Sequence, residues 1–304
     1  MTEISKSYFT KEKLISDLKS LGVMKGDILN VKASLRSIGL IEGGANSLID
    51  ALIECVGQEG TIITDSFIES HSKISLSFWN NVVSNLTPSY AGALANAMIK
   101  YKSSVRSKHP IQKFCLIGKH ATYLANDHTS EKSAYEVLKK IAAMGGKNLK
   151  IGSDKKVIGV GTTHVAIVES KKRQLRPYLG VRFQSKDKQI KSFMINWSGA
   201  CSRAIYELKN IYNTKPCHIL SNGYVGNAPA KLTCMATTLS LEKEYLKLNS
   251  KEFLTCSNKD CSCHYTWEKI GKSPLKASLD FLLKFKFKKS IKAFYIALFY
   301  RYPF

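Results

Sequence analysis

The segment between residues 26 and 64 constrains the possible folds more than any other part of this chain. An apolar run at Ile28–Val31 is typical of a buried strand, and the polar turn Ser34–Arg36 follows it. After a loop rich in glycine, apolar residues at helical spacing over Ser47–Cys55 predict an amphipathic helix, and Thr61–Thr64 predicts a second strand. Strand, helix and strand in this order predict an α/β domain.

The same alternation continues along the chain and predicts a layered α/β architecture. The further predicted helices are Lys11–Leu21, Thr87–Ile99, Glu131–Met144 and Ser202–Tyr212; the further predicted strands are Phe114–Ile117 and Lys156–Val160, with a hairpin over Phe183–Ile195. The segment Phe67–Leu86 is polar and irregular, so we interpret it as a loop or lid.

The charge of the chain indicates the class of partner. Its 46 Lys and Arg residues against 23 Asp and Glu residues give a formal net charge of +23. So basic a surface predicts a polyanionic partner: nucleic acid, an anionic membrane surface, or a phosphate-rich cofactor or substrate. A chain of 304 residues that is 44% hydrophobic has ample apolar content for a full core.

Composition also predicts a cytoplasmic location. The first residues form no continuous apolar run, so we expect no secretory signal. No stretch reaches the length of uncharged apolar sequence that crosses a bilayer. The 8 cysteines are scattered, which fits a reducing compartment better than a disulfide scaffold.

The residues after about position 250 differ from the rest, and we place the domain boundary there. Residues 251–304 combine a Cys-rich segment with a basic tail whose apolar and aromatic residues recur at roughly helical spacing. Such a helix suits an anionic membrane surface, with lysines reaching the headgroups. A terminal helix docked on the domain, with a solvated lysine face, explains the pattern equally well. Nucleic acid is the less favoured partner, because no binding module is recognisable.

The Cys-rich segment contains a candidate metal site at Cys256, Cys261, Cys263 and His264. Three thiols and an imidazole suit zinc, although the spacing is irregular for known zinc modules. Reduced cysteines in a surface loop are the alternative.

Four ordered sequence blocks identify a family. The blocks are Ala33-Ser34-Leu35-Arg36 with Glu42-Gly43-Gly44 and Gly57-Gln58-Glu59-Gly60-Thr61; Thr87-Pro88-Ser89 with Arg106-Ser107-Lys108-His109-Pro110 and His128; Gly159-Val160-Gly161 with His164 and Glu169; and Gly223-Tyr224-Val225-Gly226-Asn227-Ala228. With them the chain closely resembles the aminoglycoside 3-N-acetyltransferase family, coenzyme-A-dependent enzymes that acetylate sugar amines. The resemblance implies a layered α/β/α domain with a central mixed sheet over residues 1–250, acting as an acyl-CoA-dependent N-acyltransferase with acetyl-CoA as co-substrate.

The resemblance also implies residue roles. The expected cofactor-binding residues are Ser34, Leu35, Arg36 and Ser107, the expected catalytic residues are His164, Glu169 and His109, and the expected substrate-binding residues are Asp65, Glu42 and His128. His164 is the first choice as base, because an ordinary imidazole pKa near 6.5 suits proton transfer at neutral pH, and Glu169 would orient it. Taken alone, the turn would be an ordinary connection and each histidine a structural one.

The chain departs from the family pattern at the expected base. Relatives carry His-x-x-Glu, a pair that shares one helical face, whereas here Ala166 stands three positions before Glu169 and His164 stands five before it. In addition, Lys32 stands where relatives commonly have His, and Asp65 where they commonly have Pro.

These departures and the basic charge predict an anionic substrate. The leading hypothesis is N-acylation, with acetyl as the expected group, of an amino sugar carried on a nucleotide or lipid diphosphate during surface-polysaccharide or glycolipid synthesis, by a protein peripheral at the inner face of the cytoplasmic membrane. The alternative is an aminoglycoside 3-N-acetyltransferase that confers antibiotic resistance. A catalytically weakened binding protein, associated with membrane or nucleic acid, is the second alternative.

Overall fold

Helices and strands alternate through most of the computed structural model, which describes residues 8–153, 161–171, 179–185, 187–195, 197, 201–207, 219–258, 261 and 263. The helices are α1 (Lys11–Ser20), α2 (Leu35–Ile38), α3 (Ala45–Val56), α4 (Leu76–Asn80), α5 (Ala93–Lys100), α6 (Ala121–Asp127), α7 (Glu136–Ala143), α8 (Thr162–Glu169), α9 (Ser202–Glu207), α10 (Met235–Leu248) and α11 (Ser250–Leu254). The strands are β1 (Ile28–Ala33), β2 (Thr61–Asp65), β3 (His71–Ser72), β4 (Val82–Val83), β5 (Val105–Arg106), β6 (Phe114–Gly118), β7 (Lys147–Ile151), β8 (Leu179–Gln184), β9 (Ile190–Met194), β10 (Ile219–Val225) and β11 (Ala228–Cys234).

A seven-stranded mixed sheet forms the centre, in the order β10-β11-β7-β1-β2-β6-β5. Strand β1 pairs in parallel with both β2 and β7, and the other neighbours in this sheet are antiparallel. A smaller sheet forms around β8, which pairs with β3, β4 and β9. The carboxyl ends of three parallel strands therefore meet at one edge of the main sheet, where ligand crevices open in α/β folds.

Successive residues of the central strands enter two separate cores. In β2, Ile62 lies in one hydrophobic core and Ile63 in the other; in β6, Cys115 and Leu116 divide in the same way. This follows from the two-residue period of a strand, which sends neighbouring side chains to opposite faces. Helices α1, α3 and α5 cover the first face, and α6, α7, α8 and α10 cover the second. The predicted layered α/β/α fold with a central mixed sheet is confirmed.

Most predicted elements occur, although the helices predicted to start at Thr87 and Glu131 begin only at Ala93 and Glu136. The hairpin expected at Phe183–Ile195 is β8 and β9, and the helix expected to start at Ser202 is α9. The expected strand Lys156–Val160 and the basic tail after residue 263 lie outside the described residues. The boundary near residue 250 stays a prediction. Among the described residues, no helix combines the length and the apolar character needed to cross a membrane.

Three parts of the main sheet escaped the sequence analysis, the shortest being the two-residue edge strand β5. Strand β7 lies between β1 and β11 and has the sequence Lys-Asn-Leu-Lys-Ile. Its three polar residues weaken the strand signal in the sequence. Its Asn148 is buried and accepts a hydrogen bond of 2.8 Å from the side chain of Asn30 on β1, a compensation visible only in three dimensions. The β10–β11 hairpin was also missed. The expected loop Phe67–Leu86 contains the short elements β3, α4 and β4.

Candidate functional site

The turn Ser34–Arg36 lies at the carboxyl end of β1. The backbone N–H of Ser34 donates a 2.8 Å hydrogen bond to the carbonyl of Ile151 at the end of β7, so the turn is fixed to the neighbouring parallel strand. The hydroxyls of Ser34 and Ser37 are 2.8 Å apart, and the side chain of Arg36 is exposed. An exposed guanidinium at this edge of the sheet suits a phosphate-containing ligand.

The β10–β11 hairpin packs against α2, the short helix that contains part of this turn. Its backbone N–H at Asn227 donates to the carbonyl of Ile38, 3.0 Å away, at the end of α2. Gly226 has φ +56°, and a Cβ there would lie 2.7 Å from both the carbonyl oxygen and the Cγ2 of Ile38. Only glycine fits this left-handed, close-packed position. The glycine block in the fourth sequence motif therefore holds the first motif in place.

Lys32 and Asp65 form a largely buried ion pair beside the turn. They lie near the ends of β1 and β2, and the Lys32 Nζ–Asp65 Oδ2 distance is 2.9 Å. The second oxygen, Asp65 Oδ1, is buried and has no hydrogen-bond partner among the described residues. A buried carboxylate oxygen left unpaired costs on the order of 1–3 kcal/mol, which a donor from a ligand would recover.

His164 has a second unpaired buried atom on the same side of the sheet. It lies in the first turn of α8, and its ring stacks on that of Tyr135 with a centroid separation of 4.9 Å and an interplanar angle of 8°. Within the described part of the chain, His164 Nδ1 has no hydrogen-bond partner. Burial, with a smaller contribution from the Lys32 ammonium, lowers the pKa of His164 to about 3. We call Lys32, Asp65, Tyr135 and His164 the Lys32 cluster.

The low pKa corrects one premise of the sequence analysis. An ordinary imidazole pKa near 6.5 was expected at His164, whereas burial keeps this ring neutral well below neutral pH. The ring is therefore a weak base with a free nitrogen.

Glu169 lies at the far end of α8 and is paired with lysines. Its Oε1 is 2.9 Å from Lys139 Nζ, and its Oε2 is 2.5 Å from Lys243 Nζ. These contacts join α8 to α7 and α10. Both oxygens thus face lysines rather than His164, as the five-residue spacing requires. Glu169 also borders a cavity of about 220 Å³ between α7 and α8, which Tyr135 lines but His164 does not.

Three of the predicted site residues meet elsewhere, in a buried hydrogen-bonded group. We call Ser107, His109, Lys113 and His128 the Ser107 network. The Ser107 hydroxyl accepts a 2.9 Å hydrogen bond from the Phe114 backbone and donates to His128 Nδ1 at 3.1 Å. His128 Nε2 donates to the carbonyl of Ser133 at 3.1 Å, which fixes the ring as the Nε2–H tautomer.

His109 stacks on His128 within the Ser107 network. The ring centroids are 4.9 Å apart, and His109 Nδ1 accepts hydrogen bonds from the backbone of Ile111 at 3.2 Å and Gln112 at 2.9 Å. Burial, with like charge from His128 and Lys113, lowers the pKa of His109 to about 2. Burial is also the main reason why the pKa of His128 falls to about 4. Both rings are neutral at neutral pH.

Two buried cations hold the surrounding loops. Lys113 donates to the side chain of Asn85 at 3.1 Å and to the carbonyl of Ser107 at 3.0 Å, and burial lowers its pKa to about 7. Arg106 donates to the carbonyls of Thr87 at 2.6 Å and Ser66 at 2.7 Å. The Arg-Ser-x-His-Pro block thus joins three segments of the chain through buried hydrogen bonds.

Comparison with known proteins decides the family. The family model for aminoglycoside 3-N-acetyltransferases matches residues 31–247. The chain belongs to this family. The family match includes the turn, the Lys32 cluster and the Ser107 network.

Individual relatives agree with this assignment. The prophage-derived aminoglycoside N(3')-acetyltransferase-like protein YokD of Bacillus subtilis is 34% identical over 139 residues, which are 40% of this chain and 51% of that protein. The chain spans about half the length of the curated relatives that it matches.

Two solved structures have the same fold as this chain. The structure of AAC-VIa bound to sisomicin has a TM-score of 0.68 at 24% identity and covers 80% of this chain and 98% of its own. The structure of AAC-IIIb with CoASH has a TM-score of 0.66 at 19% identity and covers 80% of this chain and 97% of its own. At these identities the likeness concerns the fold alone.

The remaining site residues of this family member lie outside both groups. Glu42 is exposed on the loop between α2 and α3, where its backbone N–H donates to the carbonyl of Phe9. Sequence reasoning missed Tyr135, which stacks on His164, and Trp197, whose ring lies 5.3 Å from that of His109. Neither belongs to a sequence motif, so no signal in the chain distinguished them from core aromatics.

The cysteine cluster differs from its predicted composition. Cys256, Cys261 and Cys263 do meet, but the fourth nearby thiol is that of Cys201, which directly precedes α9. The four Sγ atoms lie within 4.8 Å of one another. His264, the predicted fourth ligand, lies outside the described residues.

Proposed function

We propose that this protein is an acetyl-CoA-dependent N-acetyltransferase whose substrate is an amino sugar of the aminoglycoside class. Family membership supports the reaction type, and relatives with the same fold are recorded with CoASH and with sisomicin. The comparisons thus favour the aminoglycoside alternative over the polysaccharide substrate that the sequence analysis preferred.

The observation that carries the proposal is the pair of unpaired buried atoms in the Lys32 cluster. Asp65 Oδ1 and His164 Nδ1 both lack partners in the described structure. An amine supplies N–H donors, so its binding would satisfy acceptors that otherwise weaken the fold. The cluster adjoins the turn at Ser34, so a CoA bound at that edge of the sheet would lie beside these two atoms.

In the proposed reaction the neutral amine attacks the thioester carbonyl of acetyl-CoA. The C–N bond forms, the C–S bond breaks, and the CoA thiolate leaves and takes up a proton. The attacking nitrogen becomes more acidic as the C–N bond forms, and His164 Nδ1 would accept its proton and pass it to the departing thiolate. Asp65, held by Lys32, would orient the amine. Ser34, Leu35 and Arg36 would bind the cofactor.

The other predicted site residues would act at a distance. We assign Ser107, His109 and His128 a positioning role, because all three are at most 1% exposed and hydrogen-bonded to the loops around the site. Glu169 would fix α8 to its neighbours through its two lysines. Glu42 remains a candidate for contact with substrate at the rim.

The direct test is release of CoA thiol from acetyl-CoA in the presence of sisomicin. The His164→Gln variant should lose about 10²–10⁴-fold in kcat/KM, the usual contribution of one acid–base group. His120→Gln is the matched control, since this histidine lies at the start of α6 and its backbone N–H donates to Thr61, at the opposite end of β2 from Asp65; the variant should keep full activity. Absence of acetyl-CoA binding at micromolar concentration would refute the proposal.

A phosphorylated amino sugar is the second candidate substrate. Lys32 provides a cation inside the site, and the net charge of +23 repels polycationic drugs. A kcat/KM for a nucleotide-linked amino sugar above that for sisomicin would select this candidate and reject the aminoglycoside.

The proposal that the protein binds a membrane surface depends on the basic tail alone. Deletion after Pro274 should abolish binding to anionic liposomes, and unchanged binding would reject the proposal.

A further inference from the structure

Four cysteines from two distant parts of the chain converge in a small group, two of them buried and two half-buried. Cys201 stands immediately before α9, whereas Cys256, Cys261 and Cys263 follow α11. Cys256 and Cys263 are each 3% exposed, and Ala204 of α9 packs against them. None of the four forms a disulfide in the described structure.

The sulfur atoms have the spacing of a tetrahedral metal site. A zinc ion bound by four thiolates at about 2.3 Å requires sulfur atoms about 3.8 Å apart along each edge of the tetrahedron. Cys201 Sγ lies 3.8 Å from Cys261 Sγ, and Cys256 Sγ lies 3.8 Å from Cys263 Sγ. These pairs share no atom, so they are two opposite edges, and the other separations do not exceed 4.8 Å.

The surroundings suit thiolate ligands. The backbone N–H of Cys256 points at Cys263 Sγ from 3.4 Å, the kind of outer contact that stabilises a metal-bound thiolate. Four thiolates and one divalent cation carry a net charge of −2, and this chain has a formal charge of +23 to offset it. Four sulfur ligands in a tetrahedron, with none left open, are typical of structural zinc.

We propose that Cys201, Cys256, Cys261 and Cys263 bind one structural Zn²⁺. The ion joins the start of α9 to the segment after α11 and closes a loop of more than fifty residues. It also fixes the chain four positions after Trp197, whose ring packs edge-on against His109 in the Ser107 network. Because metal binding supplies folding energy, the stability of the protein depends on zinc.

The first test is the metal content of the full chain, purified under reducing conditions without added metal. We expect about one zinc per chain, and loss of that zinc in Cys201→Ser and in Cys261→Ser. Cys234→Ser is the matched control: this half-buried cysteine at the end of β11 is outside the cluster, and its variant should keep the metal. Stoichiometric iron in place of zinc, or zinc retained by Cys201→Ser, would overturn the proposal.

A second test uses the wild-type protein, so its result does not depend on whether a variant folds. Cobalt(II) exchanged into the wild-type protein should show thiolate-to-metal charge transfer and the intense visible bands of a tetrahedral complex. A chelator should release the zinc, lower Tm, and expose four thiols to alkylation that the metal had protected. Four thiols that alkylate freely in the native protein before chelation would refute the site. These readouts do not involve catalysis, so the proposed acetyl transfer stands or fails independently.

Discussion

The Lys32 cluster and the Ser107 network contain the same kinds of side chain but differ in whether their polar atoms have hydrogen-bond partners. Each contains at least one neutral histidine stacked on another ring, and each includes a lysine that is buried or largely buried. In the Ser107 network, the hydroxyl of Ser107 and both nitrogens of His128 have partners. In the Lys32 cluster, Asp65 Oδ1 and His164 Nδ1 have none among the described residues.

This difference distinguishes a group of residues with a structural role from a candidate binding site. A satisfied network gains nothing from a ligand and loses stability when a member is removed. An unsatisfied pair already carries a cost in free energy, which a complementary ligand can remove. Titration alone would not distinguish the two, because burial lowers the pKa of His109, His128 and His164 alike.

Acidification should destabilise both regions together, and this is the largest expected effect. The pKa values of His109, His128 and His164 are about 2, 4 and 3, below the unfolded value near 6.5. Between pH 6.5 and 5 the unfolded chain therefore binds protons that the folded protein does not, so stability falls as pH falls. Each histidine contributes about 1.4 kcal/mol per pH unit, or about 4 together.

Urea unfolding at a series of pH values measures this slope. The variant His164→Gln removes one of the three rings and should reduce the slope to about 3 kcal/mol per pH unit. A wild-type slope of one histidine or less would show that the two regions are not buried as the structure describes.

Removal of His164 should affect activity rather than stability. We expect His164→Gln to lower kcat/KM by about 10²–10⁴-fold. The free energy of unfolding should fall by no more than about 1.5 kcal/mol, because only the stack on Tyr135 is lost. Steady-state kinetics and urea unfolding of the same preparation give both values. A large loss of stability with full activity per folded molecule would reverse the roles that we assign.

Ser107→Ala should show the opposite pattern. The change leaves His128 Nδ1 and the Phe114 N–H buried without their partner, at a cost of about 2–4 kcal/mol for the two groups. Activity per folded molecule should change only a few-fold. Ser37→Ala is the control, since its hydroxyl bond to Ser34 is partly exposed and should be worth about 1 kcal/mol or less. Loss of acetyl-CoA binding without loss of stability would instead support direct cofactor contact by Ser107.

The smallest effect concerns the hairpin that supports the cofactor turn. Gly226→Ala places a Cβ 2.7 Å from Ile38, whereas Gly145→Ala meets nothing within 4 Å at a similar positive φ of +80°. Both variants lose stability because alanine disfavours a left-handed backbone. The contact with Ile38 should therefore make Gly226→Ala less stable than Gly145→Ala by about 1–2 kcal/mol. Its KM for acetyl-CoA should also rise, while that of Gly145→Ala stays unchanged. Equal values in both variants would mean that the hairpin does not position the turn.

The central strands were predictable where the two-residue period is clean. The apolar residues of β1, β2 and β6 send side chains to both cores, and each strand was found from its sequence. Strand β7 was not found, because Asn148 and its lysines look like loop residues until Asn30 pairs with Asn148 across the sheet. The β10–β11 hairpin was missed because Gly223 and Pro229 lie within its strands and weaken the strand signal.

The candidate site was predictable only as a set of residue types. The resemblance to the family, the α/β/α layers and the turn at Ser34 were all predictable from the sequence, because they depend on local periodicity and on motifs that are contiguous along the chain. The three-dimensional arrangement was needed to show that His164 has a nitrogen unpaired among the described residues while both nitrogens of His128 are paired, and that Cys201 meets three cysteines more than fifty positions later. Hydrogen-bond satisfaction and burial depend on neighbours that are remote in sequence, so no pattern along the chain records them.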